Sequence, residues 1–392
     1  MVITYVYEDG FVSNNGSNHL HLAIIKKMLE AGHSVNLIQG VKTDECSEYL
    51  KQIDSKRFSC YSIKLPNIKK TNFIRRYLSG IMFSRKCYKI YKKVNCDLFF
   101  IQSTPTVSFN IAKAKKLKKP IIYNIYDIFP GSAYELGIVK IKILDNVLKK
   151  IQRIGYKKAD KIIVMSEDMK EKIVKEKVDS TKIEIVNNWF DKENLRIVEN
   201  NENNFVKENQ IGLDKYIVQY AGNIGQVFGV DEYAELVNLL RDEDSIEFHI
   251  IGEGVKLNKL KEKTVTCKNI RFFGWQPQNR MSEIYSYCNI EIIPLHYGVI
   301  GNNVPSKVAL ALACGKPILN IVEDSYYSQI FERNGIGFSV TQKEVEKAKY
   351  FLLDIAKNKT ISFDNKKCVD FAEKTYSKNN IDKIINCCES MV

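Results

Sequence analysis

The segment Pro294-Leu-His-Tyr-Gly-Val-Ile-Gly-Asn-Asn-Val-Pro-Ser-Lys-Val-Ala-Leu-Ala-Leu-Ala-Cys-Gly-Lys-Pro-Ile-Leu319 contains a strand end, a glycine-containing loop, a helix and a second strand. Gly298 lets a ligand approach the loop backbone closely, because glycine has no Cβ atom. Pro305 suits the first position of a helix, and Ser306 and Lys307 follow where main-chain amides lack helical partners. The segment predicts either a site for an anion such as a diphosphate or an ordinary connection between loop and helix.

Alternating strand and helix patterns run twice along the 392 residues. We assign residues 1–190 to a first Rossmann-like domain and residues 215–365 to a second, each typical of an α/β, doubly wound parallel sheet. Residues 191–214 are polar and rich in asparagine, which predicts a linker. Residues 366–392 are expected to form helices that return to the first domain. Ligands of such domains bind at the carboxyl ends of the strands, so we expect a crevice between the two domains.

A dinucleotide cofactor is disfavoured by the glycine spacing. The sequence Tyr220-Ala-Gly-Asn-Ile-Gly-Gln-Val-Phe-Gly229 follows a predicted strand but does not match G-x-G-x-x-G. No acidic residue ends the next strand where a ribose would require one. An NAD-dependent enzyme is therefore not expected.

The N-terminus lacks the basic region and apolar run of a secretory signal, and no apolar stretch is long enough to span a bilayer. We therefore expect a cytoplasmic protein. Its 10 cysteines include no Cys-x-x-Cys pair, and only 5 histidines are present. Reduced core cysteines and no bound metal are expected.

Positive charge is concentrated in the first half of the chain. Residues 1–190 contain 34 Lys and Arg against 18 Asp and Glu, and residues 55–94 contain 12 basic residues, 7 aromatic residues and no acid. Such a segment is typical of a surface that binds an anionic membrane, of one that binds nucleic acid, or of a solvated lysine-rich face. No recognised nucleic-acid motif accompanies it, so nucleic acid is not the expected partner.

Six motifs, in order along nearly the whole chain, resemble those of the retaining glycosyltransferases of family 4, which have the GT-B fold. They lie at residues 15–17 with 31–35, 126–137, 220–225, 249–254, 269–275 and 304–317. The segment around Asp127 and the pattern Gly222-Asn-Ile-Gly225 are most similar to a subgroup that builds bacterial O-antigen and capsule repeat units, which includes N-acetyl-L-fucosamine transferases.

The resemblance implies a nucleoside-diphosphate sugar donor, expected to be a UDP-sugar, with no cofactor or metal. It also implies an acceptor saccharide on a polyprenyl diphosphate at the inner face of the cell membrane, where residues 55–94 would contact anionic lipid. Many family members have two glutamates seven residues apart, and these positions are Asn302 and Leu310 here. An Arg and a Lys common after the first strand of the second domain are replaced by Asn223 and Phe228.

The resemblance and the loop chemistry together assign the candidate site residues. Lys307 would neutralise the leaving diphosphate, with main-chain amides and the helix start adding dipoles. Asp127 would orient or deprotonate the acceptor hydroxyl, and it is alternatively a turn residue. The other donor-side candidates are Gly222, Asn223, Glu253, Gly274, Trp275, Gly301, Asn302, Asn303, Pro305 and Ser306. The acceptor-side candidates are Gly16, Ser17, Asp127 and Glu135, since the resemblance implies that residues 1–190 bind the acceptor and residues 215–365 the donor.

Two other functions remain open at this stage. A sugar-nucleotide 2-epimerase of similar fold would need convergent acid and base residues, and none is identified in the sequence. A non-catalytic protein that is recruited to membranes and binds anions is compatible with the missing glutamate pair. Turnover of a donor distinguishes these functions from a transferase.

Overall fold

The computed structural model describes residues 1–11, 17–42, 48–68, 72–129, 142–193 and 195–392. The chain forms two units. The first comprises Met1–Asn187, Gly301–Asn303 and Asn379–Val392, and the second comprises Asn188–Ile300 and Val304–Lys378. Each unit is built on one parallel sheet, which confirms the predicted α/β class with two doubly wound domains.

The first unit contains a sheet in the order β3-β2-β1-β4-β5-β6-β7. Its strands are β1 (Val2–Tyr7), β2 (Ser34–Val41), β3 (Phe58–Lys64), β4 (Leu98–Gln102), β5 (Ile121–Asn124), β6 (Lys161–Val164) and β7 (Ile183–Ile185). Its helices up to residue 187 are α1 (Asn18–Glu30), α2 (Glu48–Lys51), α3 (Phe73–Tyr91), α4 (Val107–Ala114), α5 (Lys142–Lys158) and α6 (Glu167–Lys175). Central strands such as β4 are buried along their whole length, as expected where helices cover both faces of a parallel sheet.

The second unit contains a sheet in the order β10-β9-β8-β11-β12-β13. Its strands are β8 (Tyr216–Ala221), β9 (Ile246–Ile251), β10 (Ile270–Phe273), β11 (Ile290–Pro294), β12 (Ile318–Ile321) and β13 (Gly337–Val340). Its helices are α7 (Asn204–Glu208), α8 (Val230–Leu239), α9 (Leu257–Lys263), α10 (Met281–Tyr287), α11 (Lys307–Ala313), α12 (Tyr326–Arg333), α13 (Val345–Leu353) and α14 (Asn365–Thr375). The order reverses between β8 and β11, which makes this pair the switch point of the sheet.

The segment predicted as a linker, residues 191–214, belongs to the second unit. It contains α7, whose Phe205 is fully buried in the hydrophobic core. Asn203 accepts a hydrogen bond from the main-chain amide of Val206 and so caps the helix. The prediction of a linker is corrected, because one buried aromatic residue anchors this otherwise polar stretch.

Only the last helix of the predicted returning segment, residues 366–392, belongs to the first unit. Helix α14 packs against α11 in the second unit, whereas α15 (Asn380–Glu389) packs against α1. Lys27 Nζ lies 2.9 Å from Asp382 Oδ1, which adds an ion pair to the apolar contact of these two helices. The prediction therefore applies to α15 and is corrected for α14.

The basic segment at residues 55–94 contains β3 and α3, and α3 accounts for 19 of its residues. Phe83, Cys87 and Tyr91 are buried on one side of α3. Its basic side chains Arg75, Arg76, Arg85, Lys86 and Lys89 are exposed. The helical part of this segment, α3, is thus amphipathic. Within the described ranges, no helix combines the length and the apolar character needed to cross a membrane.

Candidate functional site

The centre of the second unit's site is a buried carboxylate at the switch point. Glu291 lies on β11 with no exposed surface. Its Oε1 accepts a hydrogen bond from the amide of Ala221 at 2.9 Å, and its Oε2 accepts one from Gln219 Nε2 at 3.0 Å. Both partners belong to β8, so Glu291 connects the two strands between which the order of the sheet reverses.

Lys307 is placed over this pair of strands by the start of α11. Its Nζ lies 3.4 Å from the centre of the Tyr220 ring, a close cation–π contact. A Cβ atom on Gly222 would lie 2.7 Å from the same Nζ. Gly222 therefore provides the space that the ammonium occupies. Its φ of +145° is also a conformation that L side chains rarely adopt.

Lys307 and Glu291 form an electrostatically coupled pair. Desolvation lowers the pKa of Lys307 to about 7, and the negative charge of Glu291 acts in the opposite direction. Desolvation likewise raises the pKa of Glu291 to about 8, opposed by Lys307 and by the two hydrogen bonds from β8. An anion bound next to Lys307 would favour its charged form, so this lysine is suited to bind a phosphate group.

The loops after β8 and β9 pack backbone against backbone. A Cβ on Gly252 would lie 2.1 Å from the carbonyl oxygen of Gly222, and one on Gly254 would lie 2.2 Å from that of Ile224. The amide of Ile224 donates to the carbonyl of Glu253 at 2.8 Å. These contacts fix the backbone of Gly222 and Asn223, and the Glu253 residue remains exposed.

Gly274 and Trp275 follow β10 at the same edge of the sheet. Trp275 is 67% exposed, so its indole ring is not part of the core. No atom lies within 4 Å of a Cβ built on Gly274. Both residues are therefore open to a ligand, as expected if a nucleobase binds there.

The glycine-containing loop is stabilised by an internal carboxylate. Glu323 Oε1 accepts hydrogen bonds from the amides of Gly298 at 3.1 Å and Ile300 at 3.0 Å. Burial raises the pKa of Glu323, and these bonds oppose the shift. Two loop amides that a diphosphate could otherwise have used are thus occupied by the protein itself.

The start of α11 differs from the prediction. The helix begins at Lys307, and Ser306 is the N-cap residue without a side-chain capping bond. Pro305 therefore precedes the cap and does not occupy the first helical position. The hydroxyl of Ser306 belongs to an exposed residue, so it remains available to a ligand.

Gly301, Asn302 and Asn303 belong to the first unit, in contrast to the other donor-side candidates. The carbonyl of Asn302 accepts a hydrogen bond from the amide of Ile128 at 2.8 Å. Asn303 Nδ2 donates to Asp127 Oδ1. The loop therefore contacts the predicted catalytic aspartate. The sequence predicted that Gly301, Asn302 and Asn303 bind the donor together with Lys307. Their contacts in the structure are instead with Ile128 and Asp127 of the first unit.

Asp127 follows β5 and is an accessible carboxylate in a crowded environment. Desolvation raises its pKa; the hydrogen bond from Asn303 lowers it and Asp9 raises it further. A carboxylate with a raised pKa is a stronger base than an ordinary aspartate. This position suits the predicted role at an acceptor hydroxyl.

The remaining acceptor-side candidates are only partly described. Gly16 and Glu135 lie outside the described residues. Ser17 is the N-cap residue of α1, and its Oγ lies 3.3 Å from the hydroxyl oxygen of Tyr7. It is half-buried.

Eight of the nine described cysteines are buried, the exception being Cys60, and all nine are free thiols. In the part of the chain that the structure describes, no group of three His, Cys, Asp or Glu residues is placed to hold a metal ion.

Sequence reasoning missed Glu291, Tyr220 and Glu323. Glu291 had a usable signal, because it is the only charged residue in the otherwise apolar strand Ile290-Glu-Ile-Ile-Pro294, and a buried charge is rarely found without a partner. Tyr220 and Glu323 carry no such signal, since their contacts depend on how the loops fold back.

Two glycosyltransferase family models match the two halves of the chain. The model described as Glycosyltransferase Family 4 matches residues 15–194. The model described as Glycosyl transferases group 1 matches residues 201–378.

The chain is also similar to individual glycosyltransferases. It is 27% identical over 220 residues to the "Probable glycosyltransferase WbjE" of Pseudomonas aeruginosa, which is 55% of this chain and 54% of that protein. The chain thus spans about half the length of the curated relatives it matches.

Solved structures share the fold over the whole chain. HepE of Anabaena in complex with UDP has a TM-score of 0.72, 13% sequence identity and coverage of 100% of both chains. WaaG, a glycosyltransferase involved in lipopolysaccharide biosynthesis, has a TM-score of 0.68, 14% identity and coverage of 99% of both chains. The chain therefore has the GT-B fold of these structures, and each of its halves matches a glycosyltransferase family model.

Proposed function

We propose that the protein transfers a sugar from a UDP-sugar to a saccharide carried on a polyprenyl diphosphate, with retention of the anomeric configuration. The acceptor oxygen forms a bond to the anomeric carbon while the bond from that carbon to the diphosphate breaks. UDP leaves with the bonding electron pair, and the acceptor proton passes to the leaving phosphate or to Asp127. The step needs a stabilised leaving group and an oriented hydroxyl.

The placement of Lys307 is the observation that carries the proposal. Its ammonium lies at the switch point of the second sheet, against Tyr220 and in the space left by Gly222. Doubly wound domains bind their ligands at this position. A lysine there supplies a charge to the diphosphate as negative charge develops on it.

The nucleotide would extend from Lys307 toward β10. The fixed backbone at Gly222 and Asn223 would contact the diphosphate, Glu253 a ribose or sugar hydroxyl, and Gly274 with Trp275 the base. All five residues follow strands β8, β9 and β10, which are neighbours in the sheet. The complexes of HepE with UDP and with UDP-glucose support a UDP-sugar as the donor.

N-acetyl-L-fucosamine, or another N-acetylated hexose, is the proposed sugar. The Asp127 segment and the Gly222-Asn-Ile-Gly225 pattern support it through their similarity to that subgroup. A match to the "Putative colanic acid biosynthesis glycosyl transferase WcaI" of Escherichia coli and the fold shared with WaaG support a role in polysaccharide biosynthesis. A front-face mechanism suits a site for which we identify no enzymic nucleophile.

We further propose peripheral binding to the inner face of the cell membrane. Ile74 and Leu78 on α3 are 68% and 59% exposed, and Ile143 on α5 is 77% exposed. The two helices adjoin each other, because Leu148 of α5 packs against Phe73 of α3. Exposed apolar side chains beside a basic helix are typical of a surface that inserts shallowly into an anionic bilayer.

The test is a donor screen followed by mass spectrometry of the product. Purified protein is incubated with a panel of UDP-sugars and polyprenyl-diphosphate saccharides, and the lipid product is examined for one added sugar residue. An epimerase would change the free sugar nucleotide without extending the lipid, and a non-catalytic protein would do neither. Absence of an extended lipid with every donor and acceptor would refute the transferase proposal.

A further inference from the structure

Tyr220, near the carboxyl end of β8, is a buried aromatic residue that contacts two parts of the proposed donor site. Its side chain is 3% exposed. The ring of Phe228, which is fully buried, meets it edge to face with the two centroids 4.6 Å apart. This packing fixes the plane of the Tyr220 ring. Tyr220 also contacts Lys307 and the loop that follows β8.

The face of the Tyr220 ring holds the ammonium of Lys307 without using its hydrogen-bond donors. Nζ lies 3.4 Å from the ring centroid, and a ring face attracts a cation because it carries negative partial charge. Nζ donates a hydrogen bond to no acceptor among the described residues. Its N–H groups are therefore available to the oxygens of a phosphate.

The hydroxyl group of Tyr220 acts on the loop after β8. Its Oη donates a hydrogen bond to the carbonyl oxygen of Asn223 at 2.7 Å. Burial, and then the charge of Glu291, raises the pKa of Tyr220, so the hydroxyl keeps its proton and remains a donor. The negative end of the Asn223 carbonyl dipole is thereby engaged by the protein, which weakens its repulsion of an anion bound nearby.

We propose that Tyr220 is a positioning residue for donor binding: its ring holds the Lys307 ammonium in place for the diphosphate, and its hydroxyl group fixes the backbone of Asn223. This role rests on the proposed function, which assigns the diphosphate to Lys307. A lysine side chain that rotates freely loses conformational entropy when it binds an anion. With the ring in place the ammonium is already ordered, so less of this cost remains at the binding step.

Two replacements of similar shape test the ring by calorimetric titration with UDP. Tyr220→Phe keeps the negative ring face, whereas pentafluorophenylalanine at position 220, introduced by stop-codon suppression, reverses its sign. In the free protein a repelled Lys307 turns away or loses its proton, but in the complex it must return to the ring. The fluorinated protein should therefore bind UDP at least about fivefold more weakly than Tyr220→Phe. Tyr220→Phe itself should bind UDP about threefold more weakly than the wild type, because the bond to Asn223 is lost.

Tyr327 of α12 is the matched control position in the same unit. Its side chain is also 3% exposed, and its hydroxyl donates to Asn320 Oδ1 at 3.1 Å. Tyr327→Phe and pentafluorophenylalanine at position 327 should bind UDP with the same affinity, because Lys307 lies over the other ring.

The same two replacements in a Lys307→Met background separate positioning from general packing. Phe and its fluorinated analogue at position 220 should then bind UDP alike, because no ammonium is left to repel. The proposal is overturned if they already bind alike in the presence of Lys307, if the fluorinated ring weakens binding equally in both backgrounds, or if the wild-type protein binds no UDP. A wild-type protein that binds UDP but extends no lipid would refute the transferase proposal and leave the role of Tyr220 in place.

Discussion

The two sheets reverse their strand order in the same way but place different side chains at the reversal. In the first unit, Glu8 lies after β1 and accepts bonds from Thr104 and Thr106 after β4. In the second unit, Lys307 lies over β8, and Glu291 of β11 balances its charge from below. The topology supplies two equivalent crevices, and the side chains decide their chemistry. The ammonium of Lys307 makes the second crevice the one that suits a diphosphate.

The largest effect is expected from removing the cation of the second crevice. Lys307→Ala should lower sugar transfer by about a hundredfold, because the leaving diphosphate loses one preorganised charge. Initial rates at saturating donor measure the effect. Lys374→Ala replaces an exposed lysine in the same unit and should leave the rate unchanged. A rate close to that of wild type in a folded Lys307→Ala variant would remove the lysine from the mechanism.

A smaller loss is expected from displacing the same ammonium without removing it. In Gly222→Ala the new Cβ would meet Lys307 Nζ at 2.7 Å, and the backbone is strained for alanine. We expect kcat/KM for the donor to fall about thirtyfold, with a loss of stability of about 1–2 kcal/mol. Thermal unfolding of Gly274→Ala is the stability control, because a Cβ is accommodated there. Unaltered donor kinetics in Gly222→Ala would contradict the assigned contact.

The first unit should differ from the second in membrane binding as well. Changing both Ile74 and Leu78 to Asn should weaken sedimentation with phosphatidylglycerol vesicles at least about tenfold, since two aliphatic side chains no longer insert. Val255 and Val265 of the second unit are 76% and 80% exposed, and their replacement by Asn is the matched control. If both double variants sediment alike, the surface on α3 is an ordinary solvated face.

The pH dependence of the second crevice gives the smallest expected effect. The pKa of Lys307 is lowered to about 7, so the charged form dominates below that pH and is lost as the pH rises. Glu291→Gln removes the negative charge that supports the ammonium, which lowers the lysine pKa further. The alkaline decline of kcat/KM should therefore shift to lower pH, with a loss of about threefold at pH 8.

Glu247→Gln, at another acidic position of the second unit, should leave this profile in place. A shift toward higher pH in Glu291→Gln would contradict the assigned coupling between Glu291 and Lys307.

Local patterns in the sequence predicted the regular elements well. The apolar periodicity of residues 142–158 predicts a helix, and α5 spans Lys142–Lys158. Ser166 suits an N-cap position, and its side chain accepts a bond from the amide of Met169 at the start of α6. These features depend on residues close in sequence, where periodicity and capping carry the information. Helix α7 was not predicted. It has only 5 residues, and it is held in place by one buried residue, Phe205, in an otherwise polar stretch of sequence.

The site was only partly predictable for the same reason. Lys307 and Gly222 are 85 positions apart in the sequence, yet each lies in a motif that predicted it as a donor-side residue. Their mutual contact, the partnership with Glu291 and the use of loop amides by Glu323 arise from strand order and loop packing. The contacts of Glu8 with Thr104 and Thr106 were also missed, since these residues lie 96 and 98 positions away in the sequence.

Calorimetric titration with UDP tests the central claim, that Lys307 binds the donor diphosphate at the second switch point. We expect the wild-type protein and Lys374→Ala to bind UDP with the same Kd, and Lys307→Ala to bind it at least about tenfold more weakly. Equal UDP affinity in the wild-type and folded Lys307→Ala proteins would contradict the claim.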